Sequence, residues 1–398
     1  MNTLVTTLQM SLVLLSGCHQ RPIPTDQAIP SANRQSEEPV PVVQEDEPIE
    51  PASVSIEATE PAPPLFSETL PISTPDVPEG LSSLSAQECN SCHFDTHDSW
   101  NGSGHQMAWS QETAALLGTD ESIEPICVGC HLPIESQHST PSQEEGEPSH
   151  VWDPTLQQEG VTCAACHVRD GTIYGVHMTE NAPHAVTPSS ELQSAEFCAN
   201  CHQLSWPDSD RPIYDTFGEW SRSWYADAGI TCQTCHMRPT PGVATAGALG
   251  YFSDHSPSID PSRAITLQIS LDAPIAVRGT EFVGSFTITN SGSGHAFPTG
   301  SPFKSVLITA TLFDGDQEPA SDIFSGTLER TVQDGPPWNT LSDSTLAPNE
   351  SKSWDFRLTP IYGASAGLAT LQIDVAIRHS DGRIDRPFTT QSIPVTMR

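Results

Sequence analysis

Lysine is nearly missing from this chain. Only Lys304 and Lys352 occur, and all lysines and arginines together number 16 against 50 acidic residues, a formal charge of -34. A chain so short of positive charge cannot neutralise nucleic-acid phosphates or settle electrostatically on anionic lipid. It suits a cationic partner, and it also keeps the protein soluble. Long apolar runs are scarce too. "LQMSLVLLSGC", residues 8–18, falls short of the ~20 residues that a membrane-spanning helix needs. It reads as the apolar region of a secretory signal, although "MNTLVTTLQ" before it carries no Lys or Arg.

Cysteine outside one pattern is almost absent, and residues 257–398 have none. Of 11 cysteines, ten lie in "CNSCH" (89–93), "CVGCH" (127–131), "CAACH" (163–167), "CANCH" (198–202) and "CQTCH" (232–236). None of these ten is left over for a structural disulfide, and the eleventh is Cys18. Two thiols at i and i+3 share one side of a helical turn, where both can form thioethers with one porphyrin. The histidine that follows then points at the iron. Zinc sites also use C-x-x-C pairs but need no histidine after each, and a redox dithiol needs one pair, not five. Five covalent haems c are therefore expected. Cys89, Cys92, Cys127, Cys130, Cys163, Cys166, Cys198, Cys201, Cys232 and Cys235 would hold the porphyrins, and His93, His131, His167, His202 and His236 would be proximal ligands.

Composition divides the chain into four parts. Residues 1–18 are the signal. Residues 19–85, rich in Pro, Glu, Ser and Thr, read as a disordered acidic tether. Residues 86–256 carry all five motifs, about 35 residues each, too few for an apolar core of the usual kind, so the porphyrins themselves should be the core of an α plus irregular domain. Helices are expected over 110–118 and 215–229, the second with Phe217, Trp220 and Trp224 on one stripe. Residues 257–398 alternate with period two: Ile265, Leu267, Ile269 and Leu271; Phe282, Phe286 and Ile288; Val306, Ile308, Ala310 and Leu312; Leu371, Ile373, Val375 and Ile377. This pattern predicts an all-β, Ig-like sandwich of about seven strands.

"LSGC" at 15–18 resembles the bacterial lipobox. The resemblance implies cleavage before Cys18 and its lipidation. Residue 19 is His rather than Asp, so the usual inner-membrane retention signal is absent. The expected location is an exported lipoprotein on the periplasmic face of the outer membrane or on the cell surface.

Ten histidines lie outside the motifs: 19, 97, 105, 138, 150, 177, 184, 255, 295 and 379. "CNSCHFDTHDSWNGSGHQMAW", "GVTCAACHVRDG" with "APHAV", "GEWSRSWYADAGITCQTCHM" with "SDHS", and "TNSGSGHAFPTG" resemble a family of multihaem cytochromes c. That family includes the tetrahaem cytochrome that takes electrons from hydroxylamine oxidoreductase. The resemblance covers about 86–300. It implies His105, His184, His255 and His295 as distal ligands. The fifth distal ligand is expected at His177 first, then His138; His97 stands where the family usually has Tyr. Met107, Met178 and Met237 are further candidates by chemistry, although Met237 abuts His236 and cannot reach that same iron.

Two functions follow. Five haems with an imidazole on each face would form an electron wire, served by redox proteins of the envelope. The other reading is a reductase of a small nitrogen or sulfur oxyanion with one open iron. No motif is altered to C-x-x-C-K, and the acidic surface would repel anions, so the wire is favoured.

Overall fold

The structure is a computed structural model, and it describes residues 70–110, 113, 124–139, 151–177, 182–257 and 260–398. These fall in one compact unit. The signal, Cys18, most of the expected helix over 110–118, and His19, His150 and Met178 lie outside the described residues.

The first part is made of short helices. They are α1 Ala86–Asn90, α2 Phe94–Trp100, α3 Glu124–His131, α4 Pro154–Gln158, α5 Cys163–His167, α6 Ala195–His202, α7 Thr216–Ser221, α8 Trp224–Asp227 and α9 Cys232–His236. Three small strands, β1 Val168–Arg169, β2 Thr172–Gly175 and β3 Val186–Pro188, form one sheet; β4 Pro239–Thr245 and β5 Ala248–Ser253 form a hairpin. The apolar cluster here is small: Ile72, Leu84, Ile134, Leu156, Ala164, Ala165 and Val168. Trp100, Leu132, Ala195, Ile213 and Tyr225 are buried outside it.

Two expectations change. The folded body begins well before 86. Ile72 is buried and bridges to Ile134, and Leu84 is buried, because these apolar residues punctuate the proline-rich run. The single helix over 215–229 is two, α7 and α8, separated at Arg222–Ser223, where the Ser223 hydroxyl turns back to donate to the Trp220 carbonyl. The aromatic stripe is split accordingly. Phe217 and Trp220 stay 5.6 Å apart, while Trp224 stacks on Tyr225 at 4.1 Å.

The second part is strand-rich. Its strands are β6 Ile265–Leu271, β7 Ile275–Ala276, β8 Phe282–Asn290, β9 Lys304–Phe313, β10 Phe324–Leu328, β11 Arg330–Val332, β12 Thr340–Asp343, β13 Ser351–Leu358, β14 Gly367–His379 and β15 Thr389–Met397. One sheet runs β10-β9-β14-β15-β7 and another β13-β8-β6. Phe286, Ile288 and Phe356 from the smaller sheet share a buried cluster with Val306, Ile308, Leu371 and Ile373 from the larger. The period-two faces expected for β8, β9 and β14 are the ones buried. These two sheets hold eight strands rather than seven, because the two-residue β7 pairs in parallel with β15.

A polar seam joins the parts. Arg211 bonds Asp343 at 2.7 Å, Arg330 donates to the Pro212 carbonyl at 2.7 Å, and Asp210 exchanges bonds with Asn339 and Thr340. Trp206 meets Trp338 edge to face at 4.5 Å.

Candidate functional site

Each motif occupies a short helical turn, as the i, i+3 spacing of its thiols requires. Four end in their histidine within one helix: α3, α5, α6 and α9. The first is broken, with Cys89 at the end of α1 and His93 capping α2.

The motif histidines face other histidines across gaps of one size. Ring centroids lie 6.4 Å apart for His93 and His184, 6.3 Å for His202 and His105, 6.2 Å for His167 and His255, and 6.2 Å for His236 and His295. An imidazole nitrogen sits about 2 Å from a bound metal, so two rings on opposite sides of one ion hold their centroids about 6 Å apart. All four gaps fit an iron with its porphyrin between the rings.

Second contacts aim the rings. His93 Nδ1 donates to the Ala244 carbonyl at 2.9 Å, His167 to Tyr174 at 2.8 Å, His255 to Ser253 at 2.7 Å and His295 to Ala296 at 3.0 Å. A ring fixed through Nδ1 presents its unprotonated Nε2 to a metal. Burial pushes His105, His167 and His236 down to about 4, which keeps them neutral, the ligating form. Burial likewise pushes the Cys166 thiol up to about 11.

The supports come from distant segments. Asp95 of α2 accepts from Val243 of the β4–β5 hairpin at 2.6 Å, and the Ser99 hydroxyl accepts from the His255 amide at 2.9 Å. Trp100 donates to the Val161 carbonyl at 2.9 Å. His295 rides on a loop of the strand-rich part. The fully buried Asn290 donates to the His295 and Leu346 carbonyls at 2.8 and 2.9 Å. Glu219 of α7 accepts from the Thr299 hydroxyl at 2.5 Å and from the Ala296 amide at 3.2 Å. Gly292 lets this loop pass the Arg263 carbonyl, where any Cβ would collide. Asn290 and Glu219 escaped the sequence reading, because a polar residue at the end of a strand looks like any turn residue and a glutamate on a short helix like any surface residue.

His131 differs. Its Nδ1 donates to the Ala108 carbonyl at 2.6 Å, but among the described residues no second imidazole ring stands opposite it. His177 is exposed and faces no motif histidine there. His138 already bonds the Leu132 carbonyl through Nε2 at 2.8 Å. His97 packs 5.5 Å from Trp100, its buried Nδ1 without a hydrogen-bond partner among the described residues. Met107 is exposed.

Some motifs are neighbours in space: α5 of motif three packs on α1 of motif one, and α9 of motif five packs on α6 of motif four. Burial, and after it a neighbouring imidazole, disfavours the protonated ring of His255, His105 and His202.

No curated protein sequence matches the chain. Residues 88–168 match the model of the family described as cytochrome c554 and c-prime. Among solved structures, a penta-haem cytochrome c552 from Thermochromatium tepidum is similar at 17% identity, with a TM-score of 0.58, covering 80% of this chain and 100% of that one. That coverage exceeds residues 86–256 and so takes in strand-rich sequence. A CARDB domain from Pyrococcus furiosus matches at 12% identity and a TM-score of 0.20, covering 34% of this chain and 87% of that one. A beta-glucosidase from Listeria innocua matches at 16% and 0.20, covering 33% and 16%. Both scores are too low to transfer a fold. Together, the five motifs, the matched segment and the penta-haem neighbour support a multihaem c-type cytochrome.

Proposed function

We propose that this protein carries electrons through five covalently held haems c at the cell envelope. Four facing histidine pairs, each with one motif histidine, are the observation that carries the reading. Haem iron with an imidazole on both faces exchanges single electrons without bonding a substrate. The chain's task is then to hold the rings still. The carbonyls of Ala244, Tyr174, Ser253 and Ala296 do this, and short helices keep neighbouring motifs in contact. On this reading His93/His184, His167/His255, His202/His105 and His236/His295 are the axial pairs, and the sheets form an Ig-like sandwich that supplies His295.

A second reading concerns motif two alone. Because no imidazole faces His131 among the described residues, its iron would have a position open to a small molecule, as a reductase requires. Carbon monoxide added to the reduced holoprotein is expected to bind one haem, seen as one Soret shift. Zero binding would sink this second reading, since a ligand outside the described residues would then close the iron, and would leave the electron carrier intact.

The location is proposed from "LSGC". Cys18→Ala should release the protein from the membrane fraction into soluble extract. If that variant stays with membranes after a salt wash, the lipid anchor is not what holds it. Among the described residues no helix is long and apolar enough to cross a membrane.

A further inference from the structure

Arg330 of β11 is 8% exposed, and three of its contacts belong to the seam. Its Nε donates to the Thr340 hydroxyl at 3.1 Å, and its Nη1 donates to the Pro212 and Ile213 carbonyls at 2.7 and 3.3 Å. The remaining nitrogen, Nη2, is buried and has no hydrogen-bond partner among the described residues. Burial, then Arg211, disfavours the charge, and Asp343, Asp210 and Asp215 offset this in part. A buried guanidinium edge left without an acceptor is costly, and an anion removes that cost.

Arg330 lines a pocket of about 20 Å3 with Lys304, Ser301, Thr345, Asp215 and Glu219. Both carboxylates are already engaged. Asp215 accepts from Arg222 at 2.7 Å and from Gln203 at 2.9 Å, and Glu219 accepts from the Thr299 hydroxyl and the Ala296 amide. Neither forms an ion pair with Arg330 or Lys304 among the described residues. The pocket has room for about one water-sized group. No porphyrin ring fits it, but the tip of a propionate does. Haem ligands lie close along the chain. Gln203, which holds Asp215, follows His202 of motif four, and the lining loop 298–302 continues from His295, which faces His236 of motif five.

We propose that this pocket receives a propionate carboxylate of a neighbouring porphyrin, held by Arg330 Nη2 and Lys304. The inference rests on the haem-bearing reading above. A guanidinium fork suits a carboxylate. A formal charge of -34 repels free anions, whereas a propionate is delivered by the covalent attachment of its porphyrin. A cation fixed there opposes the extra charge of ferric iron and so holds that haem's potential up.

The experiment uses holoprotein grown with haem isotope-labelled at the propionate carboxylates, followed by infrared redox-difference spectra and by potentiometry. Arg330→Gln should shift a label-sensitive carboxylate band and move one haem potential to a more negative value. Lys304→Glu, at an exposed position, should move the same potential in the same direction even if Arg330→Gln misfolds. Arg357→Gln, exposed at the opposite end of β8 from Asn290, should move neither reading. An equal shift in that variant would trace the effect to net charge and overturn the site. Changes confined to unlabelled bands and to added phosphate would mean a free anion, and would also overturn it. Unchanged bands and potentials in both pocket variants, with five haems retained, would leave only water in the pocket and strike this proposal alone. Wild-type protein without covalent haem would strike the haem-bearing reading as well.

Discussion

Cys163→Ala together with Cys166→Ala is expected to yield a protein with four haems whose first part no longer packs. The α5 turn that these thiols bracket lies inside the small apolar cluster of the first part, through Ala164, Ala165 and the following Val168. The α5 turn of motif three also packs on α1 of motif one. A porphyrin covers as much apolar surface as two or three aromatic side chains, each ~150–250 Å2. At ~25 cal/mol per Å2 its loss costs on the order of 10 kcal/mol. Net stability is ~5–15 kcal/mol for a whole domain, so a local deletion becomes a global one. Intact mass should show four additions, and limited proteolysis should cut within 70–257 while β8, β9 and β14 survive. Unchanged proteolysis with four haems would mean the porphyrin is not core.

His295→Ala should leave the motif-five iron with one imidazole. A high-spin EPR signal should appear, and carbon monoxide should bind one haem more than in the wild type. Asn290→Ala tests the same loop without touching a ligand. It removes one donor from each of the His295 and Leu346 carbonyls, which keep the Ser293 hydroxyl and the Phe297 amide, so each lost hydrogen bond costs ~0.5–1.5 kcal/mol. The same high-spin signal should appear, partially, because the ring is no longer aimed. Since Glu219 reaches this loop from α7, loosening it should also weaken the seam between the two parts. A wholly low-spin His295→Ala spectrum would show that another group serves this iron.

The motifs were legible in the sequence because covalent attachment fixes residue type and spacing locally. His105, His184, His255 and His295 were pointed to by the resemblance to a cytochrome family, and each faces a motif histidine. Which motif each faces was not legible. His105 follows motif one yet faces His202 of motif four, and His255 follows motif five yet faces His167 of motif three. Those partners are set by tertiary path, which no local pattern carries. His177, the first choice for a fifth distal ligand, had no such resembling segment and lies exposed. The strand faces of β8, β9 and β14 were readable because period two survives wherever one side is buried. The break between α7 and α8 was not, since the aromatic spacing of Phe217, Trp220 and Trp224 fits one helix as well as two. Glu219 matters only through partners far along the chain, and Asn290 through Leu346 as well as its neighbour His295.

The most direct test of five covalent haems is the intact mass of the purified holoprotein under denaturing conditions. The account predicts a mature chain plus five haem masses, unchanged by chelator. A chain with zinc, or with no covalent addition, would contradict it.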